Sequence, residues 1–507
     1  MFDEYKQLIT DALERVYLLA EKTDLDYAPG VSRSIDNRVW LKREDQQAVF
    51  SYKLRGASNL LASLSAAEKE RGVITASAGN HAQGVALAAG KLGIPAIVVM
   101  PKTTPEIKVN AVRQYDAKVI LHGNTFDDAA RHMEKLAESG GYVYIPPYDH
   151  PLIIAGQATV GVEILQQCAD RPDAVFVPVG GGGLIAGIAL VIKDVDPQIK
   201  IIGVESDEAP SMHHALESGT RMKLDHIGIF VDGAAVRQAG AEPFRICREL
   251  VDEILIVNND EVCAAVKDIF EDTRSIPEPA GALALAGLKQ YVSANNLENR
   301  DLVAIFSGAN INFDRLRHIA ELATSGEQRE ALLCVTIPER KGSFRTLCHD
   351  IGARKISEFN YRYADNNQAR VFVGIQLRRG IEEKHKLVRH LSEKGYQVTD
   401  LSRDEIAKMH IRYMVGGHAM QGMSNELLYR FEFPERSGAL LHFLTRMGDR
   451  WNISLFHYRN HGAAYGRILM GIQVPPADRK VFELFLAELG LVYANETANP
   501  AYQAFLA

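Results

Sequence analysis

The chain has 507 residues, of which 47% are apolar and 24% are charged, and its formal net charge is -7. This composition is typical of a soluble globular protein with more than one domain, and the acidic balance argues against a dominant nucleic-acid role. The sequence contains no apolar run long enough to span a bilayer, and its first residues lack the features of a signal peptide. We therefore expect a cytoplasmic protein that binds neither nucleic acid nor membranes.

The cysteines are scattered and lack the CxxC spacing of a metal site. They are typical of reduced thiols in a cytosolic protein, so no metal is expected. The five positions are Cys168, Cys247, Cys263, Cys334 and Cys348.

Between about residues 40 and 320, short β-rich runs alternate with helical patterns. Continuous apolar runs separated by helices predict buried parallel sheets. The clearest runs cover residues 96–100, 118–121, 174–177, 201–204 and 302–306.

Lys53 stands in the pattern Ser-x-Lys-x-Arg-Gly, residues 51–56, at the predicted start of a helix. A deprotonated lysine can form a Schiff base with an aldehyde cofactor and can then move a proton at the substrate Cα. Taken alone, such a lysine is more often a solvated charge near a helix start, so its meaning depends on distant segments.

The loop 77–84 reads Ser-Ala-Gly-Asn-His-Ala-Gln-Gly and opens onto a predicted helix. Free N–H groups at a helix start can bind a carboxylate, and the Asn80 amide can hydrogen-bond a phenolic oxygen. The alternative is an ordinary capped helix without a ligand. His81 fits a local structural hydrogen bond as well as it fits catalysis.

A run of glycines directly follows the β-rich run at 174–179, and it comprises Gly180, Gly181, Gly182 and Gly183, before Leu184. Glycines let backbone N–H groups approach a phosphate, and the amino end of the next helix attracts the same anion. The run has neither a Walker A ending nor the acidic partner of a dinucleotide motif. A tight structural turn requires only one or two glycines, so four favour phosphate binding.

Two later segments are ambiguous. Ser307 follows the run 302–306, at the strand end where open α/β sheets place ligands. It is either a turn serine or a hydrogen-bond partner for a ring nitrogen. Glu278, in Pro-Glu-Pro-Ala-Gly-Ala, belongs either to a plain loop before a helix or to the same site.

The largely polar segment 322–330 is predicted to be a linker or a helix end, and an internal repeat follows it. Residues 332–342 match 428–438, residues 356–362 match 453–459, and residues 374–376 match 471–473, at offsets of 96, 97 and 97. Each copy is predicted to be a strand-helix-strand-strand-helix-strand unit, near the ferredoxin-like pattern.

Together, and in this order, the motifs resemble those of the threonine dehydratases (threonine ammonia-lyases), which are tryptophan-synthase-β-like pyridoxal-phosphate enzymes. The resemblance covers the whole chain. It implies an α/β catalytic domain of PLP fold type II with two parallel-sheet subdomains, and a C-terminal α+β regulatory domain of two ACT-like, ferredoxin-like copies. The implied boundaries are 1–321 for the catalytic domain with its smaller subdomain at about 45–150, 322–330 for the linker, 331–412 and 424–507 for the ACT-like copies, with the segment 410–417 between them.

The resemblance also implies residue roles. Lys53 would carry pyridoxal 5'-phosphate, Asn80 would contact its ring oxygen, and Ser307 would face its ring nitrogen. The phosphate would lie on Gly180, Gly181, Gly182, Gly183 and Leu184, and the substrate carboxylate on Ser77, Ala78, Gly79 and His81. A serine at the ring nitrogen leaves the pyridine neutral, which favours β-elimination over transamination. Related racemases carry a second serine where this chain has Ala78, so little racemisation is expected.

The implied reaction is deamination of L-threonine to 2-oxobutanoate and ammonia by α,β-elimination of water, the first step of isoleucine biosynthesis. Isoleucine is expected to inhibit and valine to oppose it, in a homotetramer. Phe359, Tyr361, Phe456 and Tyr458 alternate along predicted strands, and they are either effector contacts or aromatic residues of a core or interface.

Three alternatives remain. The first alternative is an L-serine dehydratase or another β-eliminating enzyme of the same fold. The second is a phosphate-ligand enzyme without pyridoxal phosphate. The third, in a different class, is a non-enzymatic amino-acid sensor built on a dead catalytic domain. The intact Lys53, glycine run and Ser307 argue against that last alternative.

Overall fold

Two units make up the chain in the computed structural model, Met1–Gly326 and Glu327–Ala507. The structure describes residues 2–228, 230–326, 330–362, 367–377, 380–402, 404, 407, 425–434, 439–447, 450–459 and 465–499. In these ranges, no helix has both the length and the apolar character that crossing a membrane requires.

The first unit alternates helices and strands. Its helices are α1 (Asp3–Val16), α2 (Pro29–Ser34), α3 (Lys53–Ser63), α4 (Ala66–Arg71), α5 (Asn80–Leu92), α6 (Glu106–Arg113), α7 (Phe126–Gly140), α8 (Pro151–Gln167), α9 (Gly183–Val195), α10 (Ser211–Ser218), α11 (Ala241–Leu250), α12 (Asn259–Thr273), α13 (Pro279–Asn295) and α14 (Leu316–Gly326). Its strands are β1 (Leu25–Tyr27), β2 (Arg38–Arg43), β3 (Val73–Ala76), β4 (Ala96–Met100), β5 (Lys118–Leu121), β6 (Val143–Tyr144), β7 (Ala174–Pro178), β8 (Lys200–Ser206), β9 (Glu253–Val257) and β10 (Asp301–Phe306).

The smaller sheet has four parallel strands in the order β5-β4-β3-β6. Strands β3 and β4 are buried along their whole length, which explains their continuous apolar sequence. Val98 of β4 packs with Val85 of α5 in one core, and the next residue, Val99, packs with Met133 of α7 in another. Successive side chains point to opposite faces of a sheet, so helices cover both faces.

The larger sheet has six strands in the order β1-β2-β10-β7-β8-β9. All neighbours are parallel except β1, which pairs with β2 in the antiparallel sense. The five runs predicted from the sequence are β4, β5, β7, β8 and β10. The prediction of two parallel sheets is therefore confirmed, and the antiparallel edge strand β1 adds to it.

Glycine contacts hold α3 close to two other helices. A Cβ on Gly156 of α8 would lie 2.7 Å from the Cα of Gly56 in α3. A Cβ on Gly84 of α5 would lie 3.2 Å from the carbonyl carbon of Lys53. The first approach is possible only with glycine, and the second leaves little room for a Cβ, so the glycines that end two of the sequence motifs help to hold α3 in place.

The second unit forms one antiparallel sheet from both repeat copies. The first copy contains β11 (Glu330–Pro338), α15 (Ser343–Ile351), β12 (Ile356–Arg362), β13 (Gln368–Gln376), α16 (Gly380–Glu393) and β14 (Gln397–Asp400). The second contains β15 (Glu426–Pro434), α17 (Ala439–Met447), β16 (Asn452–Arg459), β17 (Tyr465–Gln473), α18 (Arg479–Leu489) and β18 (Tyr493–Asn495). The strand order is β14-β11-β13-β12-β16-β17-β15-β18, so the pairing of β12 with β16 joins the copies. The predicted strand-helix-strand-strand-helix-strand order is confirmed in each copy.

A buried Glu–Gly–Ser set explains part of the repeat. In the first copy, Ser357 donates a hydrogen bond to Glu330 beside Gly374, where a Cβ would collide with the serine. The serine lies at a β-bulge in β12. The second copy repeats the set and the bulge with Glu426, Ser454 and Gly471.

Helix α14 ends at Gly326 and β11 begins at Glu330, so residues 322–326 of the predicted linker or helix end belong to a helix. Residues 327–329, the predicted segment 410–417, and residues 435–438 of the second Pro-Glu-Arg-x-Gly turn lie outside the described residues.

Candidate active site

Three of the predicted motifs begin at the carboxyl ends of parallel strands. The glycine run follows β7, Ser307 follows β10, and these two strands are neighbours in the larger sheet. The loop from Ser77 follows β3 of the smaller sheet. Because ligands of open α/β sheets bind at the carboxyl ends of strands, the larger sheet brings the glycine run and Ser307 to one site.

Lys53 reaches this site because its loop is hydrogen-bonded to the loop after β10. The Tyr52 N–H donates to the Ser307 carbonyl at 3.3 Å, and the Ala309 N–H donates to the Phe50 carbonyl at 2.9 Å. Lys53 is the first residue of α3, directly after these bonds. The structure therefore brings together Lys53 and Ser307.

The Lys53 side chain is half-buried, and its Nζ donates to the Pro147 carbonyl at 3.1 Å. Burial lowers the pKa of Lys53 to about 8, although the Glu278 carboxylate partly opposes this. A neutral amine, which is the nucleophilic form, is thus available at lower pH than in an exposed lysine.

The glycine run forms the amino end of α9. Gly182 has a φ of 92°, in the left-handed region that favours glycine, and the helix has no side-chain cap. Among the residues that the structure describes, the N–H groups from Gly180 to Leu184 find no acceptor. A Cβ on Gly183 would lie 3.1 Å from the Tyr148 carbonyl oxygen, so a side chain there would crowd the loop. Free N–H groups at a helix start are what a phosphate requires.

The loop from Ser77 supplies the start of α5. Ser77 accepts a hydrogen bond from the Gly79 N–H at 3.3 Å. In the described part of the chain, no acceptor is found for the N–H groups of Ala78, Asn80 and His81. These groups leave the loop able to bind an anion, and the substrate carboxylate remains the prediction for it.

His81 is buried at this loop, and its Nε2 lies 3.0 Å from the Ile145 carbonyl. A carbonyl only accepts, so Nε2 carries the proton. Burial, helped by the charge of Lys53, lowers the pKa of His81 to about 3, although the hydrogen bond to Ile145 partly opposes this. The imidazole is therefore neutral and makes the structural hydrogen bond that the sequence left open.

Ser307 and Asn80 offer neutral polar groups. Ser307 is buried, and its hydroxyl donates to the Ala280 carbonyl at 3.2 Å. Asn80 Nδ2 donates to Glu278 Oε1 at 2.5 Å, and Asn80 Oδ1 accepts from Asn310 at 2.7 Å. One Asn80 N–H is left for a further acceptor.

The sequence left open whether Glu278 belongs to the site, and the structure places its carboxylate there, against Asn80. Burial raises the pKa of Glu278 to about 7; the Asp232 charge also raises it, whereas the hydrogen bond from Asn80 lowers it. The only sequence signal was its position between two prolines before an apolar helix.

The sequence did not reveal the buried network around Arg55, two residues after Lys53. The Arg55 guanidinium makes bidentate contacts with Glu44 at 2.7 Å and 2.7 Å, and with Glu163 at 2.6 Å and 3.0 Å. Lys42 Nζ donates to Glu163 at 2.6 Å. Two cations and two carboxylates are thus paired in the interior beneath the start of α3. The one available signal was the position of Arg55 within the Ser-x-Lys-x-Arg-Gly motif.

These observations fit pyridoxal phosphate. Lys53 is an amine with a lowered pKa, the glycine run presents free N–H groups for a phosphate, and Asn80 keeps one N–H for a ring oxygen. The single proton of the Ser307 hydroxyl is on the Ala280 carbonyl, so the hydroxyl must turn away from Ala280 to donate to a ring nitrogen.

The four aromatic residues predicted as effector contacts lie in the second unit. They are Phe359, Tyr361, Phe456 and Tyr458, all buried in one core. Phe359 pairs with Tyr458, and Tyr361 with Phe456, across the strands that join the copies. The rings of Phe359 and Phe456 meet edge to face at 5.3 Å. They are core residues here, and their role with effectors stays a prediction.

Comparisons with known proteins identify the family of the chain. Residues 16–308 match the family of pyridoxal-phosphate dependent enzymes, and residues 321–411 and 417–506 match the C-terminal regulatory domain of threonine dehydratase. The chain is 51% identical over 493 residues to the biosynthetic L-threonine dehydratase IlvA of Pasteurella multocida, covering 97% of this chain and 96% of that protein. It is 50% identical over 492 residues to IlvA of Escherichia coli, covering 97% and 95%.

Among solved structures, the processed form of threonine deaminase isoform 2 from Solanum lycopersicum is similar, with a TM-score of 0.62 and 48% identity. That likeness covers 64% of this chain and 94% of the tomato chain.

Proposed function

Since this chain belongs to the threonine dehydratases, a family of pyridoxal-phosphate-dependent enzymes, we propose that it deaminates L-threonine to 2-oxobutanoate and ammonia. The observation that carries the proposal is the hydrogen-bonded pairing of the Lys53 loop with the Ser307 loop, beside the glycine run. Relatives about 50% identical along nearly the whole chain carry the name biosynthetic L-threonine dehydratase. We expect the reaction to be the first step of isoleucine biosynthesis.

We assign Lys53 to the cofactor aldehyde, Asn80 to the ring oxygen and Ser307 to the ring nitrogen. The phosphate is assigned to the free N–H groups from Gly180 to Leu184. When bound, the cofactor supplies an electron sink that stabilises negative charge at the substrate Cα.

The remaining chemistry falls to the chain's own side chains. Lys53 takes the Cα proton, because its lowered pKa makes the neutral amine accessible. The loop from Ser77 to His81 binds the carboxylate through its N–H groups and so orients the Cα–H bond. Ala78 has no proton to exchange on the opposite face, so we expect little D-threonine from L-threonine. Ser307 leaves the ring nitrogen neutral.

A direct test is the visible absorbance of purified protein supplied with pyridoxal phosphate. We expect a yellow band that borohydride reduction removes, leaving the label on Lys53. Lys53→Ala should lose the band, whereas Lys91→Ala, an exposed lysine at the end of α5, should keep it. A wild-type protein that stays colourless would refute the assignment.

Substrate choice and rival functions have separate readouts. Turnover of L-threonine compared with L-serine separates the proposal from an L-serine dehydratase of the same fold. A protein that binds amino acids but releases no ammonia from either would be a sensor. Ammonia released without pyridoxal phosphate would point to a different phosphate-ligand enzyme.

We further propose that the second unit regulates the enzyme, with isoleucine as inhibitor and valine opposing it. Support comes from the match to a threonine dehydratase regulatory domain. We keep 1–321 as the catalytic part, with its smaller subdomain at about 45–150, and 331–412 and 424–507 as the effector-binding copies. Isoleucine should inhibit the full chain and should not inhibit a chain without residues 331–507. Equal inhibition of both would place the effector site elsewhere.

The family also leads us to propose a homotetramer that works in the cytoplasm. Sedimentation equilibrium of the purified protein tests the assembly, and a monomer or dimer at micromolar concentration would contradict it.

A further inference from the structure

The Asn80 amide is held on both sides. Its Nδ2 donates to Glu278 Oε1 at 2.5 Å, and its Oδ1 accepts from Asn310 Nδ2 at 2.7 Å. Asn310 Nδ2 also donates to the Val49 carbonyl at 2.7 Å. A backbone carbonyl only accepts, so the Val49 bond fixes which end of Asn310 carries N–H, and Asn310 fixes Asn80 in turn.

Glu278 forms the other end of this chain of bonds, and the fold makes room for its carboxylate. The residue is 5% exposed, and its N–H donates to the Gly308 carbonyl at 3.1 Å. A Cβ on Gly308 would lie 2.6 Å from Glu278 Oε1, and one on Gly233 would lie 3.4 Å from it. A side chain at Gly308 would therefore collide with the carboxylate, and one at Gly233 would only touch it.

Glu278 also departs from the usual behaviour of its position. It is the N-cap residue of α13, where a side chain commonly accepts a hydrogen bond from a helix N–H. Glu278 makes no such bond. Its carboxylate turns to Asn80 instead, so its contribution lies at the site and not at the helix end.

We propose that Glu278 is a positioning residue that orients the Asn80 amide as a hydrogen-bond donor to the ring oxygen of pyridoxal phosphate. The inference rests on the proposed function, because it requires the cofactor on Lys53. With one N–H of Asn80 held by Glu278, the second N–H is left for the ring oxygen. If the amide were turned over, Oδ1 would face two acceptors, which is repulsive.

Other charged groups act on the Glu278 carboxyl from several elements. Burial and the Asp232 charge raise its pKa to about 7, and the Asn80 hydrogen bond, Lys108 and Arg315 lower it. The groups that interact with it are Asp232, Lys108, Arg315, Tyr52 and Lys53. A protonated carboxyl keeps a carbonyl oxygen that accepts, so the amide orientation persists in acid while the hydrogen bond weakens.

The test uses full-length protein and the cofactor itself. Glu278→Ala removes the acceptor, and Glu278→Gln keeps an acceptor oxygen without the charge. Asn310→Asp removes the donor at the other end of the chain of bonds. Asp272→Ala is the control, because it removes another carboxylate that accepts hydrogen bonds, in this case from the Gly30 and Val31 N–H groups of α2 and not from Asn80. The readouts are the dissociation constant of pyridoxal phosphate and the absorbance of the bound cofactor between about pH 6 and 9.

We expect Glu278→Ala to bind pyridoxal phosphate about ten-fold more weakly, which corresponds to ~1.4 kcal/mol, and to shift the absorbance of the bound cofactor. Glu278→Gln should recover most of both losses, and Asn310→Asp should repeat them even if Glu278→Ala does not fold. Asp272→Ala should lower thermal stability alone. Wild-type affinity and absorbance in Glu278→Ala, or Glu278→Gln behaving like Glu278→Ala, would overturn the inference. A colourless wild type, or a Lys53→Ala protein that keeps the band, would refute the proposed function instead.

Discussion

Replacing Arg55 with alanine should destabilise the first unit strongly. The substitution removes both bidentate contacts and leaves Glu44 and Glu163 in the interior with Lys42 as the remaining cation. Both carboxylates are almost fully buried, at 0% and 1% side-chain exposure. One buried negative charge is then uncompensated, and breaking a buried pair in this way costs about 3–5 kcal/mol.

Tryptophan fluorescence allows this loss to be measured in the full chain. The protein has two tryptophans, Trp40 in β2 and Trp451 in the second unit. In a Trp451→Phe protein, the fluorescence of Trp40 alone reports urea unfolding of the first unit. The free energy of unfolding is then compared between this protein and the same protein with Arg55→Ala. Arg38→Ala is the matched control, since Arg38 holds Asp301 in the same bidentate geometry but is 49% exposed. Its urea midpoint should hardly change.

The pH dependence of the loss has a definite sign. Burial raises the pKa of Glu163, but the charges and hydrogen bonds of Arg55 and Lys42 outweigh burial and leave that pKa below its ordinary value. A depressed carboxyl pKa contributes stability above about pH 4.3, and this contribution disappears as the pH falls through the folded-state pKa. The difference between wild type and Arg55→Ala should therefore narrow in acid. A loss below about 1 kcal/mol at neutral pH would refute the reasoning.

Three further outcomes follow from the described contacts. The rate at which cofactor-free protein gains visible absorbance with pyridoxal phosphate should rise through about pH 8, the pKa to which burial lowers Lys53, and a midpoint near that of an exposed lysine would contradict this. Gly84→Ala places a Cβ 3.2 Å from the Lys53 carbonyl carbon, so α3 and α5 must separate by a few tenths of an ångström; we expect weaker cofactor binding, and unchanged affinity in a titration would contradict this. In a thiol-reagent assay of the native protein, half-buried Cys168 and Cys334 should react first, and buried Cys247, Cys263 and Cys348 only after unfolding. Burial raises the pKa of all five thiols, so the order follows from access of the reagent; fast labelling of five thiols would be inconsistent with it.

Parts of the fold with a local physical cause could be predicted from the sequence. Strands such as β4 and β7 are buried on both faces, so their sequences are continuously apolar. The three residues of strand β1 are half-buried or exposed, and the strand depends on pairing with β2. Its sequence therefore contains no apolar run from which it could be predicted. Glu330 fell in the polar segment predicted as a linker or helix end, yet it begins β11, where it pairs with Gln376 of β13 and its carboxylate accepts a hydrogen bond from Ser357.

The site divides in the same way. The glycine run could be read locally, because four consecutive glycines have few structural explanations. The contact between Lys53 and Ser307 depends on backbone bonds between distant loops, and the Arg55 network depends on charges that cancel only after folding. No spacing in the sequence encodes such partners. Glu278 could be named from the sequence as a candidate, but the sequence did not predict that its carboxylate lies against Asn80.

The shared eight-stranded sheet of the second unit has a consequence for the duplicated segments. Strand β12 of the first copy pairs with β16 of the second copy, so the edge of each copy that faces the other is covered. Deleting one copy would expose a five-pair strand edge, together with the aromatic rings of Phe359 or Phe456 that now meet across it. Unprotected edges of this kind recruit other chains. We therefore expect that both copies must be kept or removed together, because removal of one copy alone leaves an exposed strand edge that promotes aggregation.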